Sequence, residues 1–239
     1  HIIAGAEKVK ESTRNNFKIK FNKEIYEGYG ATETGPVASA NIPDTLNTVS
    51  WKPHMTQKKG TVGMALPGGA FKIVDPESFE ELNVGDEGMI LIAGNQVMKG
   101  YLKDVEKTNK SIINDELGIR WYITGDKGKI DEDGFLTVLD RYSRFAKIKG
   151  EMISLTALEQ DLMSFINDST TSLIAVNIPD EKNGEKIVLL FESTLSEEEV
   201  KGRVENSTLS YISRPKHYIK VDEIPVLGTG KLDFKEATK

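Results

Sequence analysis

Between residues 60 and 143 every apolar run is short: 71–74, 89–93 and 135–139 span four or five residues each, separated by the turn clusters LPGG, NVGDEG and DEDG. Short runs bounded by Gly, Pro, Asn and Asp are the pattern of a small β-barrel or sandwich. After residue 143 the pattern changes. Strands around 145–149, 171–178 and 186–192 alternate with helices near 155–166 and 196–208 and a last helix from Asp233. That alternation predicts a second, α+β unit of about 95 residues. Ahead of these runs, 6–16 read as a short polar helix and 17–26 (FKIKFNKEIY) as an alternating strand running into a loop at 27–36. The charged stretch 140–144 joins the differently patterned halves, so the expected domains are 1–142 and 143–239, in an α+β fold.

Composition narrows the partners. A net charge of −6 over 239 residues leaves no general basic field for a nucleic-acid backbone or an anionic membrane, so neither is expected as a partner. Zero cysteines exclude disulfides and thiolate chemistry, and His1, His54 and His217 fit no recognised metal-ligand spacing. The longest apolar runs, such as 89–93 and 187–191, are far short of a bilayer span, so a soluble segment is expected. The chain starts at His1 inside an apolar stretch and without the charged opening of a signal peptide, which suggests a piece of something longer.

Several clusters carry chemistry. Residues 28–35 (GYGATETG) pack glycines, threonine hydroxyls, a tyrosine and a carboxylate into eight positions, suited to a backbone that approaches phosphate oxygens and a carboxylate that holds Mg²⁺. An ordinary strand-to-helix turn explains the same letters. In 121–126 (WYITGD) Asp126 ends an apolar run, where a carboxylate can accept two hydrogen bonds from a ribose diol. A Thr-Gly-Asp turn is also common punctuation. Residues 140–151 (DRYSRFAKIKGE) hold four cations, which suits an anionic ligand, though a solvated face is the cheaper explanation. Lys231 lies on the glycine loop 225–231 (PVLGTGK), which departs from the Walker A pattern at Pro225 and Leu232. Asp131 and Asp133 before Gly134 read as a hairpin turn rather than a calcium loop, because Phe135 fills the next ligand position.

The order of these clusters is specific. YGATETG, GYLKD (100–104), WYITGD, DRYSRFAKIKGE and a late GTGK together resemble the C-terminal half of the AMP-forming adenylating enzymes: acyl-CoA synthetases, luciferases and peptide-synthetase adenylation domains. Within that superfamily, 145–160 and 225–234 look most like the acyl-[acyl carrier protein] synthetase half of bifunctional 2-acylglycerophosphoethanolamine acyltransferase. The resemblance implies ATP, AMP and Mg²⁺ as ligands. It places Tyr29 and Gly30 on the adenine, Thr32 on the α-phosphate, Glu33 on Mg²⁺, and Gly5, Ala6 and Glu7 along the adenine pocket. Asp126 would accept the ribose hydroxyls, with Arg141 beside it. Lys231 would be the adenylation lysine, and Lys147 and the 149–151 turn would face the site in the second half-reaction.

The implied reaction is activation of a fatty acid as acyl-AMP, then transfer to the phosphopantetheine thiol of acyl carrier protein or coenzyme A. The resemblance also implies that 1–142 end a large nucleotide-binding domain and include its small β-barrel, and that a small lid domain would rotate about Ser143 between the steps, where many relatives carry Asp or Lys. Met152 likewise stands where some relatives have a basic residue. The parent enzyme would serve phospholipid acyl recycling at the cytoplasmic face, as a soluble segment of a membrane-associated protein. The family's phosphate loop and most of its acyl pocket have no counterpart among these residues, so the 239 residues by themselves are expected not to adenylate. A coenzyme A ligase and a non-catalytic nucleotide- or carrier-protein-binding module are the competing readings.

Overall fold

A computed structural model describes residues 1–228 and 232–238. The chain divides into two compact units, His1–Leu139 and Asp140–Lys239. The first contains β1 (Ile2–Ala4), α1 (Glu11–Phe21), β2 (Ile25–Tyr29), β3 (Ser39–Ala40), β4 (Thr45–Asn47), β5 (Lys52–His54) and β6 (Met64–Ala65). It continues with β7 (Gly69–Val74), β8 (Gly88–Gly94), α2 (Val105–Ser111), β9 (Ile112–Asn114) and β10 (Arg120–Ile130), and β11 (Leu136–Arg141) runs over its boundary. The second contains β12 (Phe145–Ile148), β13 (Glu151–Ser154), α3 (Leu155–Ile166), β14 (Ser172–Asp180), β15 (Gly184–Glu192), α4 (Glu197–Glu205), β16 (His217–Lys220) and α5 (Phe234–Ala237).

In the first unit one sheet runs β1-β2-β3-β6 and a second runs β11-β10-β8-β7, with β9 added to β10. The expected barrel is not formed: among the described residues no sheet closes on itself. The reason lies at the free edge of β11. Leu136 exchanges backbone hydrogen bonds with the Val62–Gly63 loop (2.8 and 2.9 Å), so a loop rather than β7 occupies the position that closure requires. At the centre, β8 is buried along all but its last residue, which is why 89–93 is a continuous apolar run.

The stretch 17–26 is also corrected. Alternation suggested a strand, yet α1 continues to Phe21, where Phe17 and Phe21 stack one turn apart with ring centroids at 4.6 Å. Asn22 closes the helix in the left-handed conformation, and only Ile25–Tyr29 is strand. With no buried residue in α1, packing did not select the strand register that the letters offer. The Asp131/Asp133 turn joins β10 to β11: Asp131 accepts from the N–H groups of Asp133 and Phe135, and the Lys58 ammonium pairs with both carboxylates.

In the second unit β13-β12-β15-β14, with β16 parallel to β15, form one sheet. The buried stripe Leu155, Leu158, Leu162 and Ile166 of α3 packs on it against Leu189 and Phe191. Ser154 caps α3, and Ser196 with Glu199 forms a capping box on α4, which fixes where both helices begin. No helix among the described residues is long and apolar enough to cross a membrane.

Candidate functional site

Strands β1 and β2 are parallel, with Ile2 opposite Ile25 and Ala4 opposite Glu27, so their carboxyl ends open side by side. Ligands in parallel sheets bind beyond such ends. From β1 the chain enters Gly5-Ala6-Glu7, all exposed, with Ala6 in the left-handed region (φ 74°). From β2 it enters Tyr29-Gly30. A side chain at Gly5 would stand 3.2 Å from the Gly28 carbonyl, so the two exits touch. After Tyr29 the chain winds into a single 3-10 turn, Thr32–Thr34, locked by the buried Thr34 hydroxyl, which accepts from the Ala31 N–H (2.9 Å) and donates to the Ala31 carbonyl (3.0 Å). Gly30 is required for this return: a Cβ would lie 2.1 Å from the Pro36 carbonyl oxygen. Gly30→Ala is expected to destabilise the first unit by about 2 kcal/mol or more, because backbone rather than a flexible side chain must give way. Its thermal midpoint against the parent checks this; an unchanged midpoint refutes the close approach.

Asp126 reaches the same place by a bulge. Pairing of β10 with β8 slips between Ile123 and Lys127, and Gly125 takes a positive φ of 70°. The Thr124 hydroxyl donates to the Ile90 carbonyl (2.8 Å) and accepts from the Asp126 N–H (2.9 Å), holding the bulge in shape. A bulge re-aims the side chain that follows it. Here it leaves Asp126 only 5% exposed, with the Tyr29 hydroxyl donating to its Oδ2 at 2.5 Å.

Glu33, in the middle of the 3-10 turn, accepts from the Tyr101 hydroxyl at 2.7 Å. Burial pushes its carboxyl up, but the hydrogen bonds from Tyr101, its own backbone and Tyr122, with the Lys107 charge, outweigh this and leave it below its usual value. The Tyr101 phenol is raised by its bond to Glu33 and then by burial. Burial foremost, then the charges of Glu33, the Tyr101 phenol and Asp126 in that order, hold the Tyr122 phenol far above its ordinary value. At neutral pH the site therefore pairs an ionised carboxylate with protonated phenols. No group of three or more His, Cys, Asp or Glu side chains converges among the described residues. One ionised carboxylate fits Mg²⁺, which takes one or two protein oxygens and completes its shell with phosphates and water.

The structure thus brings Gly5, Tyr29, Glu33 and Asp126 to one region of the first unit, with Tyr122 interacting with both Glu33 and Asp126. Thr32 is exposed at the start of the 3-10 turn. Sequence reasoning quoted the segments holding Tyr101 and Tyr122 but gave neither a role. The available signal was a tyrosine directly after Gly100 and another beside Trp121, and only the fold turns them on Glu33.

In the second unit Arg141 ends β11, Ser143 lies in a 3-10 turn at Tyr142–Arg144, and Lys147 projects from β12 opposite Met152; all are exposed. Lys149 and Gly150 both have positive φ and make the tight turn between β12 and β13. Of the four cations in 140–151, Arg144 is neither solvated nor offered to a ligand. It is buried, pairs with Glu159 (2.5 Å), donates to the Ala175 carbonyl (2.8 Å) and stacks over the Phe234 ring (3.9 Å). Lys231 lies outside the described residues.

A family model described as AMP-binding enzyme matches residues 1–102. The chain is 33% identical to 4-coumarate–CoA ligase 2 of Nicotiana tabacum over 98% of its own length and 42% of that protein. It is 30% identical to 4-coumarate–CoA ligase 1 of Glycine max over 98% of its length and 77% of that protein. Among solved structures it resembles ATP-bound MatB from Rhodopseudomonas palustris, with a TM-score of 0.74 and 28% identity over 98% of this chain and 44% of that one. The chain thus spans less than half the length of the tobacco relative and of the MatB structure. A parallel strand pair ending in a glycine-rich turn, a bulge-presented aspartate and these matches along nearly its whole length place the chain in the AMP-binding enzyme family.

Proposed function

We propose that this chain is part of an ATP-dependent, AMP-forming ligase that activates a carboxylic acid as its acyl-adenylate and passes the acyl group to a phosphopantetheine thiol, that of coenzyme A. One observation carries the reading: Tyr29, at the mouth of the parallel strands and four residues before the ionised Glu33, is hydrogen-bonded to the buried Asp126. An aromatic face for a base, a carboxylate for a ribose diol and a second one for a phosphate-bound cation are the parts that an adenylate needs. Gly5, Ala6 and Glu7 line the base beside Tyr29 and Gly30, and Thr32 bonds the α-phosphate. Mg²⁺ held by Glu33 would offset phosphate charge. Arg141 adds a ribose contact.

In the first step a carboxylate oxygen attacks the α-phosphorus and the bond to pyrophosphate breaks; the Lys231 ammonium meets the charge gathering between the two reactants. In the second the thiol sulfur bonds to the acyl carbon, AMP leaves and the thiol proton passes to solvent, with Lys147 and the 149–151 turn facing the site. Residues 1–142 end the nucleotide-binding domain and 143–239 form a lid that turns about Ser143 between the steps, since pyrophosphate exit and thiol entry need different openings.

Coenzyme A is preferred over acyl carrier protein because the tobacco and soybean relatives are CoA ligases by name. Acyl carrier protein has in its favour only the likeness of 145–160 and 225–234. The test uses the full natural protein: acid-dependent exchange of pyrophosphate into ATP across aromatic, dicarboxylic and fatty acids, then thioester formation with coenzyme A against holo-acyl carrier protein. Exchange with one acid class and thioester on coenzyme A is expected. Exchange with no acid refutes the ligase, and thioester on the carrier protein only refutes the acceptor.

A further inference from the structure

Glu33 is held at two points by one short segment. Its backbone carbonyl accepts from the Met98 N–H at 2.8 Å, and its Oε1 accepts from the Tyr101 hydroxyl at 2.7 Å. That segment is itself anchored from both sides. The Arg120 guanidinium, at the start of β10, donates to the carbonyls of Met98 (2.9 Å) and Lys99 (3.0 Å). The Tyr101 N–H donates to the Thr108 hydroxyl on α2 (2.8 Å), and that hydroxyl donates to the Asp104 carbonyl (2.8 Å). Gly100 lets the chain pass this close to α2: its φ is 157°, and a Cβ would meet the Thr108 methyl at 2.7 Å. Also from α2, the Lys107 ammonium stands 3.9 Å from the centre of the Tyr101 ring.

We infer that Tyr101 is a positioning residue for Glu33: anchored through Thr108 and Lys107, its hydroxyl fixes the orientation of the carboxylate before the nucleotide arrives. The inference rests on the reading of Glu33 as the carboxylate that meets the phosphate-bound cation. A glutamate side chain has several rotors to freeze on binding, and a donor already in place removes part of that cost. Hydrogen bonds to metal-binding groups commonly set metal affinity in this way. Tyr101 touches no reacting atom in this scheme and acts only through Glu33.

Tyr101→Phe in the full natural protein keeps the ring under Lys107 and removes the donor. Its Kd for Mg·ATP, measured by calorimetry, is expected to rise about 10-fold, while its Kd for AMP in EDTA and its thermal midpoint stay at the parent values. The Mg²⁺ concentration for half-maximal pyrophosphate exchange should rise in parallel, with KM for the acid unchanged. An unchanged Kd for Mg·ATP overturns the inference, and so does an equal loss of AMP affinity, which marks a merely structural role. Glu33→Gln, measured alongside, separates the two layers. If it also leaves Mg·ATP binding intact, the cation role of Glu33 fails and the inference with it; if it weakens binding and Tyr101→Phe does not, the positioning role fails by itself. Should Tyr101→Phe fold poorly, Thr108→Val takes its place, with the same selective loss of Mg·ATP over AMP expected and its absence decisive against the inference.

Discussion

Lys231→Ala is expected to slow acyl-adenylate formation by about 10²- to 10³-fold at saturating ATP and acid, the loss typical when one preorganised charge stabiliser is removed from a transition state. The thermal midpoint and the affinity for AMP should not change. Thioester formation from synthetic acyl-AMP and coenzyme A should keep its rate, because the ammonium is assigned to the first half-reaction only. Lys231→Arg is expected to recover little, since a planar guanidinium does not place its charge at the same point as a compact ammonium. Pyrophosphate exchange and single-turnover thioester assays measure the two half-reactions separately. Undiminished exchange in the alanine variant would favour the module that binds nucleotide without chemistry.

Arg144→Ala should have the largest effect on stability. The guanidinium is 6% exposed and satisfies the Glu159 carboxylate and the Ala175 carbonyl while covering the Phe234 ring. Removing one partner of a buried pair leaves the other charge uncompensated, at a cost of about 3–5 kcal/mol. For a unit of this size that corresponds to a fall of at least about 10 °C in the melting of the second unit. The double variant Arg144→Met with Glu159→Gln, which removes both charges and keeps an acceptor for the Ala175 N–H, is expected to regain most of the loss. Urea titrations of the three proteins decide the point: a cost below about 1 kcal/mol for Arg144→Ala would put the pair in the class of surface ion pairs.

Local features were legible in the letters. Ser154, Ser196 with Glu199, and Asp233 cap helices near where the sequence put helix starts, the runs 71–74 and 89–93 lie in β7 and β8, and 135–139 enters β11 at Leu136. Each depends on groups within a few residues. Three expectations failed because they depended on more. FKIKF has the alternation of a strand, but an exposed segment has no buried face to enforce that period, and helix took it. Strand content does not say whether a sheet closes, and a backbone exchange between Leu136 and the 62–63 loop kept this one open. Arg144 looked like its neighbours in a cationic run, and its burial came from partners fifteen and more positions away.

For the candidate site, the GYGATETG, GYLKD and WYITGD segments were identified, and what they do to one another was not. Tyr29 and Asp126 are 97 positions apart, and Glu33 and Tyr101 are 68 apart, so no periodicity or propensity connects them. By itself the sequence determined where α3, α4 and α5 begin and which apolar runs become β7 and β8, because capping and strand-length apolar runs are short-range physics. Only the tertiary structure decided that Tyr29 meets Asp126, that Tyr101 holds Glu33 and that Arg144 is buried, because those contacts form when a bulge, a glycine passage and a packed sheet bring distant residues within hydrogen-bonding distance.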